Sequence, residues 1–324
     1  MMLAALSLAS FLVAFTVVRV LLTRFGRFAL DRPNERSLHQ HPIPRTGGLA
    51  VLFGAALAAA FGAAALWLPM LIALALAVVS FIDDLRGMPT WLRLLLHLAG
   101  AGLLAAYVLL PMHPLELALI IIGVAWLTNL YNFMDGSDGL AGGMTLIGFG
   151  TYAMAAHVAG HAALAALCCA IAAAAAAFLV HNFHPARIFL GDVGSIPLGF
   201  LAGALGVIGW RDDLWPLWFP LLVFGPFIGD ATLTLVRRLV RRERVWRAHR
   251  EHYYQRMVRM GLGHRNTAWV AYTAMLVCAA AALLGRAQSP ALQGAAFGAG
   301  VTLLAALAVW VDIRWGRFVR ETPA

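Results

Sequence analysis

Five carboxylates stand at the ends of apolar runs. Asp83 and Asp84 follow LPMLIALALAVVSFI, Asp135 and Asp138 follow IIIGVAWLTNLYNFM, and Asp192 lies in FLGDVGSIPLGF. An acid at a bilayer edge loses solvation, so it needs cations, hydrogen bonds or a metal around it. Three such ends meeting on one face would make a site for a hard divalent cation. Carboxylate oxygens favour Mg²⁺, with Mn²⁺ as the alternative, and Mg²⁺ characteristically works with substrate phosphates.

The most specific string is NLYNFMDGSDGLAGG over 129–143. Its Asp-Gly-Ser-Asp-Gly core looks like a calcium loop, but the twelfth position from Asp135 is Leu146 rather than Glu, which rejects an EF-hand. A capped polar turn would account for the acids but not for Asn129 and Asn132, which repeat on one polar face. In FLGDVGSIPLGF a Gly-rich turn runs into a helix start. The N–H groups of Gly194 and Ser195 are read there as an outward phosphate seat, with Asp192 free for a metal. Capping by Asp or Ser is an equally good use of the same residues. In FIDDLRG the adjacent carboxylates diverge by about 100° on a helix, so they face different partners.

Two basic loops complete the set. Within 237–266, the string HREHYYQR is expected to place His249 and His252 on one helical face with Arg256 a turn further on, suited to phosphoryl oxygens. An amphipathic helix lying on anionic lipid is the competing use of this loop. Zinc binding by this pair is the weaker use, because no Cys or further His nearby completes a tetrahedron. In DRPNERSLHQHPIPRTGG over 31–48, Arg36, His39 and Arg45 add positive charge to the acid-bearing face. His97, His157 and His161 have no sequence partners and are read as structural. Asp230, late in an apolar run, is a weaker site candidate.

The elements that position these residues are membrane helices. The chain has 324 residues, of which 62% are hydrophobic and 12% charged, and its mean hydropathy is +0.81. That excludes a soluble domain and predicts an all-α polytopic membrane protein in a single domain over 1–324. The N-terminal run is read as a retained first span, not a signal peptide. The cysteines Cys168, Cys169 and Cys278 lie in apolar runs and offer no disulfide framework. All 24 Lys+Arg residues are Arg, and the +9 net charge is not read as a nucleic-acid signal on such a chain.

The apolar runs predict ten to eleven spans, near 3–23, 47–65, 67–82, 91–110, 115–133, 140–158, 161–181, 194–210, 214–236, 267–285 and 290–311. Alternating sides puts nearly all the arginines, all five carboxylates and the 237–266 loop on one side. Only Arg211 and Arg286 fall on the other. The positive-inside rule makes the arginine-rich side cytoplasmic, with the N-terminus outside and the C-terminus inside. Gly199/Gly203 and Gly294/Gly298 are read as close packing within the monomer, with a homodimer as the second use.

Taken together and in this order, DRPNERSLH…PIPRTGG, the Asp pair, NxxNFMDGxDGLA, GDxGS and the His-containing last loop resemble the polyprenyl-phosphate N-acetylhexosamine-1-phosphate transferase family. The likeness covers essentially the whole chain. It implies transfer of a sugar-1-phosphate from a UDP-N-acetylhexosamine to undecaprenyl phosphate in the bacterial inner membrane, with release of UMP and a requirement for Mg²⁺. By the resemblance, Asp138 and Asp192 are metal ligands. Asp83 and Asp84 handle the lipid phosphate, and Asn132 and Asp135 hold the same shell. Phe189 stacks on uracil, and His249 and His252 contact the diphosphate. The opening loop looks like the enzymes that prime O-antigen. HREHYYQR looks closest to the branch transferring FucNAc or QuiNAc phosphate, whereas the peptidoglycan translocase branch carries three consecutive histidines. That branch is the alternative enzyme, and a proton- or cation-coupled transporter the alternative of another class.

Overall fold

In hydrocarbon, a long apolar run satisfies its backbone polar groups by folding as a helix. The computed structural model describes residues 2–31, 33, 38, 39, 41–244 and 249–321. Helices α1 (Met2–Arg24), α2 (Gly47–Phe61), α3 (Trp67–Arg86), α4 (Thr90–Leu109), α5 (Pro114–Phe133), α6 (Leu140–Val158), α7 (Ala162–Asn182) and α8 (Asp192–Arg211) follow the first eight predicted spans closely. After them come α9 (Trp218–Val223), α10 (Gly225–Val240), α11 (Tyr253–Met257), α12 (Gly263–Gly285) and α13 (Pro290–Glu321). Among the described residues, eight helical segments are long and apolar enough to cross a membrane. This is an all-α polytopic membrane fold.

The span predicted at 214–236 is not one helix. It breaks between α9 and α10, where Phe224 leaves helical geometry and Pro226, lacking an N–H, follows as the second residue of α10. The last predicted span is also longer than expected, since α13 runs on to Glu321.

Helix α8 is the hub. It is buried from Val193 to Gly209 and packs against α5 and α3, while α7 packs against α1, α6 and α2. Gly199 and Gly203 let α5 approach: a Cβ on Gly199 would lie 2.7 Å from the Leu127 carbonyl oxygen, and one on Gly203 3.2 Å from Val124 Cα. These glycines serve packing inside the chain, whereas Gly294 and Gly298 face open space. All three cysteines are free thiols.

The loop after α1 is tied down by a short antiparallel pair, β1 (Leu30–Asp31) and β2 (Ile43–Pro44), with Leu30 opposite Pro44. From β2 the chain continues as a strap along the turn before α8. Phe189 N–H donates to Pro44 O at 2.7 Å, Gly47 N–H to Phe189 O at 2.9 Å and Gly48 N–H to Leu190 O at 2.9 Å. The strap carries Arg45 and sets it beside the start of α8.

Candidate functional site

The ends of α3 and α5 and the start of α8 bring four of the five predicted acids together. Asp83 and Asp84 do diverge. Asp83 accepts from Met88 N–H at 2.5 Å and pairs with Arg93 of α4 at 3.1 Å, while Asp84 pairs with Arg45 of the strap at 3.2 Å. Asp192, the first residue of α8, has Asn132, Arg45, Arg93 and Asp83 as its electrostatic neighbours. Asp135 has Asp192 and Asp31 beside it, and its Oδ2 accepts from Gly191 N–H at 3.1 Å.

Gly191 is required at that turn. Its φ is +73°, and a Cβ there would lie 2.1 Å from the Arg45 carbonyl oxygen. The same close approach lets α2 and α8 touch through Gly48 and Gly194.

Among the described residues, this cluster carries more carboxylates than guanidinium groups. Asp31, Asp83, Asp84, Asp135 and Asp192 stand against the guanidinium groups of Arg45 and Arg93. Burial and the Asp192 charge hold the Asp135 carboxyl well above the usual carboxylate range. A divalent cation is what such a surplus of half-buried oxygen ligands fits. Among the described residues, no three His, Cys, Asp or Glu side chains form a metal cage by themselves. A cation held here would complete its shell with phosphate oxygens and water, as Mg²⁺ commonly does.

Asp138 keeps different company from Asp192. Its Oδ2 accepts from His184 Nδ1 at 2.6 Å and from Ala186 N–H at 3.1 Å, and its Oδ1 lies 3.8 Å from His264 Nδ1. The rings of His184 and His264 stack, 5.6 Å apart and 13° from parallel. Neither histidine was singled out from the sequence. Their only signal is that each sits next to a motif on the acid-bearing face. Phe189 is half-buried and meets the His39 ring edge-on at 5.0 Å. Arg36 lies outside the described residues.

Three sequence expectations are corrected. The Gly194 and Ser195 N–H groups do not point outward: both donate to Gly191 O at 2.9 Å, and the Ser195 side chain is fully buried. His249 and His252 do not share a helical face. His252 is the N-cap of the five-residue α11, and His249 precedes it in extended chain, yet their rings lie 4.9 Å apart. Arg256 is turned away from them, buried and paired with Asp312 of α13 at 3.0 Å.

What holds His252 is Asp230, the lone acid of the broken span. Its Oδ1 accepts from His252 Nδ1–H at 3.1 Å and Tyr253 N–H at 2.9 Å, and its Oδ2 from Tyr254 N–H at 2.9 Å. A carboxylate only accepts, so Nδ1 carries the proton and Nε2 keeps its lone pair when the ring is neutral. The His252 ring lies against Phe133 at 6.3 Å, and Tyr254 OH donates to Phe133 O at 3.1 Å, which docks the histidines at the end of α5 beside Asp135. Burial, then the neighbouring His252 and Arg238, push the His249 imidazole down to about 4.

The sequence model of the family described as glycosyl transferase family 4 matches residues 66–210, from α3 to the end of α8. That stretch contains every acid of the cluster except Asp31. A probable undecaprenyl-phosphate N-acetylglucosaminyl 1-phosphate transferase of Bacillus subtilis (strain 168) is 29% identical over 285 residues, covering 82% of this chain and 79% of that protein. Over the stretch from α3 to α8 the chain is similar to glycosyl transferase family 4. A second relative, the decaprenyl-phosphate N-acetylglucosaminephosphotransferase of Mycolicibacterium smegmatis, is 27% identical over 305 residues, with 79% and 74% of the two chains covered. The phospho-N-acetylmuramoyl-pentapeptide-transferase of Moorella thermoacetica is 42% identical, but over only 96 residues, 30% of this chain and 29% of that one.

Proposed function

We propose that this chain transfers N-acetylhexosamine-1-phosphate from a UDP-sugar to a polyprenyl phosphate, undecaprenyl phosphate in a bacterial inner membrane, and releases UMP on the cytoplasmic face. The observation that carries this reading is that Asp83, Asp84, Asp135 and Asp192 gather beside Arg45 and Arg93 at helix ends, more carboxylates than guanidinium groups among the described residues. Relatives acting on undecaprenyl and decaprenyl phosphate over most of their length support the acceptor class.

Asp192 and Asp135 are the residues that would hold Mg²⁺. When bound, it supplies neutralisation of the charge that develops on the diphosphate. Arg45 and Arg93 orient Asp84 and Asp83, and Asp84 would orient or deprotonate the acceptor phosphate. His252, fixed by Asp230, presents Nε2 with His249 to the donor's phosphoryl oxygens. Phe189 and the Asp138–His184–His264 group flank the cation site and offer a ring face and an acceptor for the uridine.

An apolar cavity of about 430 Å³ lies between the α9–α10 break, α11, α12 and α13, with Asp230 the one charged residue in its lining among the described residues. It suits the first isoprene units of the acceptor, whose phosphate end would then lie toward His252. In a transporter the acids would be relay groups near the bilayer midplane. Here they close the ends of α3 and α5 and start α8.

The test is purified protein with undecaprenyl phosphate, Mg²⁺ and a panel of UDP-GlcNAc, UDP-FucNAc and UDP-QuiNAc, followed by UMP release. The relatives favour GlcNAc, and the HREHYYQR string favours the O-antigen-initiating FucNAc/QuiNAc branch. No turnover with any donor, together with substrate uptake in vesicles, would replace the enzyme reading with the transporter.

A further inference from the structure

We propose that Asp312, on the last helix, is a positioning residue that fixes His249 and His252 through Arg256 and Tyr253. The inference rests on the reading above in one respect, that the two histidines face the donor phosphates.

Helix α13 has 32 residues, a length of about 48 Å at ~1.5 Å per residue. The hydrocarbon core is only about 30 Å thick. Its final turns therefore extend past the membrane on the acid-bearing side. Asp312 sits in that extension and receives four hydrogen bonds. Arg237 of α10 donates through Nη1 at 2.6 Å and Nη2 at 2.7 Å, Arg256 of α11 through Nη1 at 3.0 Å, and Tyr253 through its hydroxyl at 3.4 Å. Both guanidinium groups lie over the Tyr253 ring, each 5.3 Å from its centre.

A helical segment that runs only from Tyr253 to the kink at Met260 and Gly261 has few backbone bonds of its own, and because helix nucleation is costly it relies on tertiary partners. Besides the Tyr254–Phe133 bond, two acids hold segment α11. Asp230 accepts the N–H groups of Tyr253 and Tyr254 and holds His252 at one end; Asp312 holds Tyr253 and Arg256 at the other. Arg256 is only 7% exposed, and its other acidic neighbour, Glu251, is at 4.0 Å. Without the Asp312 charge, Arg237 and Arg256 face each other across one tyrosine ring, and a buried cation left unpaired moves to solvent. That movement pulls on the backbone that carries His252.

The test uses the full-length protein in detergent with two substitutions. Asp312→Asn keeps the size and removes the charge; Asp312→Glu keeps the charge. Asp312→Asn is expected to raise the UDP-sugar KM about tenfold, the scale on which misplaced binding groups act. It should also speed hydrogen exchange at the Tyr253 and Tyr254 amides, and Asp312→Glu should recover most of the loss. In a His249→Ala/His252→Ala background, Asp312→Asn should add nothing to the donor KM. Unchanged amide exchange, a fall in kcat alone, or additive effects would overturn the proposal. If the double histidine variant itself keeps the normal donor KM, the reading of the histidines fails, and amide exchange still decides whether Asp312 holds the segment.

Discussion

The Oδ2 atom of Asp135 accepts the backbone N–H of Gly191 at 3.1 Å, so the loop that ends α5 is bonded directly to the turn that begins α8. Two acids 57 positions apart in the chain, Asp135 and Asp192, are held side by side by that bond and by the left-handed conformation of Gly191. Burial first, and then the Asp192 charge, raise the Asp135 carboxyl above its ordinary value of 3.8.

That shift has a sign that metal binding reverses. A carboxyl raised in the folded state keeps its proton longer than in the unfolded chain, so the metal-free protein loses stability as pH rises from the ordinary value through the raised one. A bound cation displaces the proton, so affinity for Mg²⁺ or Mn²⁺ climbs with pH. Calorimetric titration with Mn²⁺ near pH 6, in two buffers of different ionisation heat, should show proton release that shrinks in Asp135→Asn. Equal release in both proteins would remove Asp135 from the cation shell.

The contact between α2 and α8 gives a stability prediction. A Cβ on Gly48 would lie 2.2 Å from Gly194 Cα and 2.5 Å from its nitrogen, and backbone cannot yield as a flexible side chain does. Gly48→Ala should destabilise the protein by about 1–3 kcal/mol, the usual cost of overpacking. It should also lower UMP release per folded molecule, because Arg45 and Asp192 are carried on the two elements forced apart. An unchanged melting temperature would mean the helices separate freely.

How far the sequence could reach is clear from particular residues. The limits of α6, 140–158, are read directly from its apolar run because nothing interrupts it. The break before α10 is also written locally, in the Gly225–Pro226 pair, but the apolar residues on either side conceal it. The histidine loop misled because spacing predicts a helical face, while the real organiser, Asp230, is 22 positions upstream of His252 and pairs with it only once α10 and the loop fold back. Asp138 is the same lesson. Its partners His184 and His264 are 46 and 126 positions away, and no local pattern connects them. Acids at span ends are legible from sequence; which neighbour each one answers to is decided by packing.

His249 offers a second measurement of charge. Its imidazole is pushed down to about 4 in the free protein, by burial first and then by His252 and Arg238. A base lowered in the folded state is protonated earlier in the unfolded chain, so folded stability falls as pH drops from about 6.5 toward 4. A diphosphate placed against the ring reverses the electrostatic cause and favours the imidazolium. Binding of UDP at pH 6 should therefore take up protons, and His249→Gln should lose that uptake. Uptake that survives the substitution would assign the proton to another group.

The cavity beside Asp230 can be tested without touching any group assigned to the chemistry. Ala305 lines it from α13 and is exposed to it rather than packed in the core. A tryptophan there fills space at little folding cost, because no buried neighbour has to move. If the cavity receives the acceptor's first isoprene units, Ala305→Trp should raise the polyprenyl phosphate KM about tenfold, the loss expected when roughly two buried methylene groups are displaced. The UDP-sugar KM should stay where it was, since none of His249, His252 and Phe189, the residues assigned to the donor, lines the cavity. A normal acceptor KM in Ala305→Trp would rule this cavity out and move the chain to another face of α10.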